Sequence, residues 1–311
     1  MRLIEDFRAK VVGDLFEMQS LSSVWPLAKT TLCTNLPQNA VSAHNILELG
    51  RHLSGTFTGL HNPAATTTEA EAQALVARGG ALWEGLVVWY LNLCLAGTRA
   101  VAIKKKSHMP KSVRDALSVW IGNSEKLSEP DVLILHLDSE ALDGSYARSP
   151  VQAFQTLLDA NFSEIKAVNI QCKTNWNDTV QTPLLWNILY AAAVASGAHS
   201  NALGASTITF GANGRYLPNL SGFRYGFVTV PSNDPEGFSP QTSPVVRGRA
   251  FTGGCYWGRE TIPHVCRNIM ELFNVNGSLL PPIASMGAGA AECLNGAQDN
   301  GIQFGVFRLL P

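Results

Sequence analysis

The segment Lys166-Ala167-Val168-Asn169-Ile170-Gln171-Cys172-Lys173 carries the reading of the whole chain. Its alternation puts Val168, Ile170 and Cys172 on one face of a strand and Asn169, Gln171 and Lys173 on the other. A polar row that ends in a cation is unusual beside so apolar a partner row. Upstream, Asp131-Val132-Leu133-Ile134-Leu135-His136-Leu137 reads as a second strand, rich in branched apolar residues, with Pro130-Asp131 at its mouth. An aspartate there projects into the crevice at the end of a sheet, where hard oxygen ligands are useful. Pro-Asp is also a common turn dipeptide.

Further back, Thr66-Thr67-Thr68-Glu69 opens a helical pattern that runs to Ala96, with Thr68 as N-cap and Glu71 completing a capping box. Gly79-Gly80 is a candidate break in it, and Gly97 marks its end. Between Ala81 and Thr98 the only charged residue is Glu84, flanked by Leu82, Trp83, Leu86, Val87, Val88 and Trp89. A helix apolar nearly all round is buried, and a carboxylate within it needs a metal or a basic partner. A solvent stripe shared with Asn92, or an arginine partner, would satisfy the same residue.

The remaining elements follow the same logic. Thr98 to Ile103 is a short β-like run before Lys104-Lys105-Lys106. A helix is expected over Lys111 to Ile121. Another starts at Ser149-Pro150-Val151-Gln152 and reaches Asp159. Thr182-Pro183 begins a further helix, Thr207 to Arg259 mixes strands with Gly/Pro-rich loops, and a helix over Val265 to Phe273 precedes a tail with a short final strand. The fold class expected is α/β (α+β), a central mixed sheet flanked by helices. Three regions are expected: helices and loops over 1–65, a core over 66–200, and a β/loop-rich region over 201–311, packed as one continuous domain.

Taken together, Glu84 on a buried helix, Pro130-Asp131 on one strand and Gln171-x-Lys173 on a later one resemble the PD-(D/E)xK nuclease superfamily, the fold of many type II restriction endonucleases. The resemblance covers residues 69 to 197 and extends to the polar run Thr174 to Asp178 and the helix at Pro183. It implies a restriction-endonuclease-like core and Mg²⁺-dependent hydrolysis of double-stranded DNA at a short specific sequence, by a homodimer. It assigns the metal to Asp131, Gln171, the carbonyl of Cys172 and Glu84, and a catalytic charge to Lys173. The departure is Gln171, where the family has Glu or Asp. A literal ExK at Glu164-Ile165-Lys166 is held in reserve, nearer the entrance of the strand.

For DNA contacts, Arg215, Arg224, Arg247, Arg249 and Arg259 are candidates, with Tyr216, Tyr225, Tyr256 and Trp257 between them. Arginine pairs bidentately with guanine in the major groove, and Ser239 to Trp257 is the segment assigned to base readout. Lys104, Lys105, Lys106 and Lys111 are assigned to phosphates. The formal net charge of -1, from 23 Lys+Arg against 24 Asp+Glu, demands that any basic footprint be local. The six cysteines include no CxxC; Cys255, His264 and Cys266 lie near one another but match no zinc-finger spacing. Glu5 and Asp6 interrupt the opening where a signal peptide is apolar, and no run approaches a membrane span, so a reduced, cytoplasmic setting is expected.

Two other functions fit the same residues: a structure-specific or repair nuclease on this fold, and a DNA-binding protein that has lost catalysis. An unrelated α/β enzyme finds no GxxxxGK[ST] or GxSxG to support it.

Overall fold

Long-range pairing turns these local patterns into two sheets with helices packed on them. The computed structural model describes residues 2–60, 69–127, 130–139, 146, 149–174, 200–203, 206–230, 255–256, 279–296 and 301–309. The helices expected from Thr182 and from Val265 lie outside these residues, as do Arg247, Arg249, Arg259, His264 and Cys266.

The first sixty residues are helical: α1 (Arg2–Phe16), α2 (Gln19–Ser22), α3 (Trp25–Cys33), α4 (Ala43–Glu48) and α5 (Leu53–Leu60). Then comes α6 (Glu69–Leu95), which Gly79 and Gly80 do not interrupt. From Leu86 to Ala96 its side chains are buried. A glycine in a helix costs about 1 kcal/mol, far less than burying this face contributes. The helix stops at Gly97, whose φ of 81° is left-handed and favours a residue without Cβ.

The chain then builds β1 (Ala100–Ile103), α7 (Lys111–Leu117), β2 (Ser118–Ile121), β3 (Ser124–Leu127), β4 (Val132–His136) and α8 (Pro150–Ala160). The helix expected to reach Ile121 ends at Leu117, because Ser118-Val119-Trp120-Ile121 pairs antiparallel with β3, and Val119 to Ile121 pair antiparallel with the later segment Ser206–Phe210. Gly122, at φ 56°, makes the tight turn into β3. The N-cap read at Ser149 forms, its side chain accepting the Gln152 N–H at 3.3 Å.

β5 (Lys166–Lys173) is followed by β6 (Ser200–Leu203), β7 (Ser206–Phe210), β8 (Gly222–Thr229) and β9 (Cys255–Tyr256). Helix α9 (Ala288–Leu294) and a 3₁₀ turn at Phe304–Phe307 complete the described chain. The short final strand expected in the tail is that 3₁₀ turn. Its place is set by tertiary contact: the Trp89 indole N–H donates to the Phe307 carbonyl at 3.1 Å.

The larger sheet has the order β1-β4-β5-β8-β9 and the smaller β3-β2-β7-β6. In the larger, β1, β4 and β5 pair antiparallel, while β5–β8 and β8–β9 are parallel. The sheet is therefore mixed, as expected of the class. The register pairs Leu133 with Asn169 and Asn169 with Tyr225, so these share a face; Gln171 and Phe227 continue that row.

β1 is an outer strand, and its outward backbone groups are satisfied by side chains. Asn92 donates to the Ala102 carbonyl at 2.7 Å and accepts the Ala102 N–H at 3.1 Å. Arg8 donates to the carbonyls of Ala100 and Thr98 at 2.8 and 3.1 Å while pairing with Glu5. Asn92 is thus fully buried rather than part of a solvent stripe. Helices, both ends of the described chain and the larger sheet share one apolar core. Among the described residues, no helix is long and apolar enough to cross a membrane.

Candidate active site

At the end of the larger sheet where β4 begins and β5 finishes, the Asp131 carboxylate reaches across to β5. Its Oδ2 accepts the backbone N–H of Cys172 at 2.8 Å. Asp131 therefore lies against the backbone between Gln171 and Lys173, with those two side chains on one face of the strand.

Pro130 accounts for this geometry. The register Val132–Ile170 and Leu133–Asn169, continued outward, sets Pro130 opposite Cys172. Odd-numbered residues of β5 bond toward β8: the Lys173 carbonyl accepts Val230 N–H at 3.1 Å. The N–H and C=O of Cys172 therefore face the β4 side. Proline has no N–H to give the Cys172 carbonyl, and the aspartate side chain takes the Cys172 N–H. One backbone oxygen and one carboxylate are left at the same place.

Four further side chains bear on this end of the sheet. Tyr225 on β8 donates its hydroxyl to Gln171 Oε1 at 2.5 Å, both residues being buried. Burial, with Asp131 and Cys172 nearby, pushes the Tyr225 hydroxyl far above its usual range, so it remains a donor. Lys104, immediately after β1, forms an ion pair with Glu84 of α6. Glu84 is 22% and Lys104 16% exposed at the side chain, so the glutamate is half-buried and its partner is a lysine, not an arginine. Asn169, one step inward in the row of Gln171 and Lys173, is buried and, among the described residues, neither polar atom of its amide has a hydrogen-bond partner.

The electrostatics follow from burial. Asp131 is pushed above the ordinary carboxylate range by burial, against the opposing pull of the Cys172 N–H, Lys173 and Lys104. Burial likewise lowers Lys104, with Asp131 opposing it. The Cys172 thiol is raised well above its usual value, first by burial and then by Asp131, so it stays protonated. Its sulfur side faces away from the polar row; only its backbone belongs to the site.

No protein-family model matches the chain, and no curated protein matches it in sequence. The site stands on its own geometry.

The other candidates are dispersed. The reserve pair sits at the opposite end of β5, about 20 Å from Cys172 at about 3.3 Å per residue. Lys166 there pairs with Asp138 at 3.0 Å and Glu164 is exposed in a 3₁₀ turn, so this register does not meet Asp131. Lys166, Asp138 and the buried His136 instead line a separate cavity of about 480 Å³. Lys105 faces Asp14 and Glu17 at 3.5 and 3.8 Å, and Lys111 pairs with Asp115. Arg215 lies over the Phe162 ring at 4.9 Å and Arg224 is exposed on β8. Tyr256 is on β9, paired with Thr229.

Sequence reading missed two members of the cluster. As one of three consecutive lysines, Lys104 reads as a phosphate contact, although its position directly after an apolar strand sets it apart from the other two. Tyr225 reads only as an aromatic among arginines. A glutamine on a buried strand face requires a hydrogen-bond partner, and that requirement was the available signal.

Among the described residues, no group of three or more His, Cys, Asp or Glu side chains is placed to hold a metal. The donor set at Asp131 is of another kind: one carboxylate, one amide oxygen and one backbone carbonyl, with the Glu84 carboxylate held separately by Lys104. All are hard oxygens, the chemistry magnesium prefers, and magnesium keeps several of its own waters. The residues fit that ion.

Proposed function

We propose that the chain is a Mg²⁺-dependent endodeoxyribonuclease of the PD-(D/E)xK type, a restriction enzyme that cuts double-stranded DNA at a short specific sequence as a homodimer. The observation that carries the reading is the hydrogen bond from Cys172 N–H to Asp131. It brings the acid of Pro130-Asp131 to the strand segment that holds Gln171 and Lys173. A mixed sheet with helices packed on it supports it further, as does Glu84, a half-buried carboxylate of α6 paired with Lys104 just after β1.

In this reading Asp131, the Cys172 carbonyl and Gln171 would hold the ion, with Glu84 as an outer or second-site ligand. When bound, Mg²⁺ supplies Lewis acidity toward the phosphate and makes water a stronger nucleophile. Asp131 is suited to the role because burial leaves its charge under-compensated by the protein's own donors. Tyr225 fixes the Gln171 amide so that its oxygen keeps one orientation. Lys173 orients the attacking water and offsets negative charge that builds on the phosphate oxygens. The water oxygen bonds to phosphorus and gives up a proton to solvent, the bond to the leaving sugar oxygen breaks, and that oxygen takes up a proton from solvent.

The test is digestion of a plasmid of known sequence with Mg²⁺ and with a chelator, followed by mapping of the ends. Discrete fragments that require Mg²⁺ are expected. Cutting that follows DNA structure instead of sequence would favour a repair nuclease. DNA binding without any cutting would favour a protein that has lost catalysis, a reading kept open by Gln171 standing where the family has an acid.

A further inference from the structure

The cavity of about 480 Å³ at the other end of β5 already holds an oxyanion, and that oxyanion belongs to the protein itself. Asp138, two residues past β4, sets its carboxylate between two donors. Its Oδ1 lies 2.9 Å from His136 Nε2, and its Oδ2 lies 3.0 Å from Lys166 Nζ. His136 and Lys166 are cross-strand partners of β4 and β5, so the sheet fixes their spacing. The His136 ring is fixed as well, with Nδ1 3.1 Å from the Leu279 carbonyl oxygen. That oxygen only accepts, so Nδ1 carries a proton, and a bond from Nε2 to Asp138 needs a second one. Burial lowers the His136 pKa, while the Leu279 carbonyl and Asp138 pull it upward. An anion at Nε2 is thus what retains the second proton.

The two sides of this contact differ in freedom. At the side chain His136 is 6% and Lys166 25% exposed, whereas Asp138 is 60% exposed. The donors are built in and the acceptor is loose. Arg99 adds a third cationic side chain to the cavity lining, and Leu280 and Pro281 add an apolar flank. A carboxylate can offer these groups two oxygens, as Asp138 does. A phosphate group offers three, with more charge, and so can engage His136, Lys166 and Arg99 together. We propose that this cavity is a binding site for a phosphate group, which takes the place of the Asp138 carboxylate on His136 and Lys166. The apolar flank covers the organic part of a small phosphate ester, and the volume suits one, since small-molecule pockets span about 300–1,000 Å³. Asp138 is then a tethered competitor: its high effective concentration weakens the binding that the donors alone would give. The proposal is independent of the nuclease reading, whose residues lie at the opposite end of β5.

The experiment is calorimetric titration of the full chain, in chelator so that no divalent ion takes part. The titrants are deoxyadenosine monophosphate, inorganic phosphate and deoxyadenosine. Wild type is compared with Asp138→Ala and Asp138→Ser, each alone and combined with Lys166→Met. Two replacements of Asp138 are used so that misfolding of one, checked by circular dichroism, leaves the other. The expected result is monophosphate binding at least about tenfold tighter once Asp138 is replaced, a gain lost on adding Lys166→Met. Deoxyadenosine should not bind. Inorganic phosphate that binds as tightly as the monophosphate would support the site with free phosphate as its ligand. Tighter binding of the monophosphate would support it with an ester. Equal affinity with and without the Asp138 carboxylate, binding that survives Lys166→Met, or no binding to the folded Asp138 variants would overturn the proposal.

Discussion

At Asp131, burial raises the carboxyl against the pull of the Cys172 N–H, Lys173 and Lys104. Because the folded value lies above that of the unfolded chain, folding favours the protonated acid. Its contribution to stability is lost as pH rises from the model-peptide range through the folded value. At neutral pH without metal, the charge is therefore a cost to the fold. Asp131→Asn, which keeps an oxygen for the Cys172 N–H, should be more stable than wild type by about 0.5–2 kcal/mol in urea unfolding while losing cleavage. Equal or lower stability would show that the carboxylate is fully compensated.

His108 behaves in the opposite sense. It is buried, and its Nε2 lies 3.0 Å from Asp14 Oδ2 while Nδ1 has no partner among the described residues. A neutral ring donating from Nε2 satisfies Asp14, whereas the protonated ring would bury an N–H with no acceptor. Burial lowers its pKa, with Lys105 and Lys10 adding to the effect and Asp14 opposing it. A depressed folded value means stability that is complete above about pH 6.5 and is lost as pH falls through the window below it. A melting series should accordingly fall with pH from 6.5 downward, and His108→Gln should flatten that slope. An unchanged slope in the variant would assign the effect to other groups.

Elements differ in how openly the sequence declared them. β5 was legible at both ends, because a strand with one apolar and one polar face has a period of two that nothing else imitates. The mouth of β4 was legible for a related reason: proline ends a ladder on one side, and branched apolar residues follow it. The end of α7 was not legible, since Val119, Trp120 and Ile121 suit helix or strand, and partners far along the chain at β3 and β7 decide between them. The same holds for β1, whose outer edge is closed by Asn92 and Arg8 from two different helices. Arg8 is 1% exposed and makes bonds to Glu5, Thr98 and Ala100. Removing it leaves Glu5 charged and buried, although Glu5 keeps the Gly97 N–H at 3.0 Å. Arg8→Ala should destabilise by about 3–5 kcal/mol in denaturant unfolding. A loss within about 0.5 kcal/mol would mean that water enters and replaces the guanidinium.

For the molecule as a whole, the site is a product of register more than of motif. Glu84, Lys104, Asp131, Gln171 and Tyr225 come from five elements, and sheet pairing brings Asp131, Gln171 and Tyr225 to one corner. The sequence disclosed residue types and the strands that carry them. It concealed the pairing of Lys104 with Glu84, because two residues twenty apart meet only after α6 packs on β1. The near-zero net charge leaves affinity for DNA to local features, of which Arg224 is an exposed cation on the larger sheet. The measurement that bears most directly on the account is the Mg²⁺-dependent rate of plasmid cleavage by wild type, Asp131→Ala and Lys173→Ala, with folding of each verified by circular dichroism. The account predicts cleavage by wild type and a loss of at least about 10²–10³-fold in both variants. Folded variants that cut as fast as wild type would contradict it.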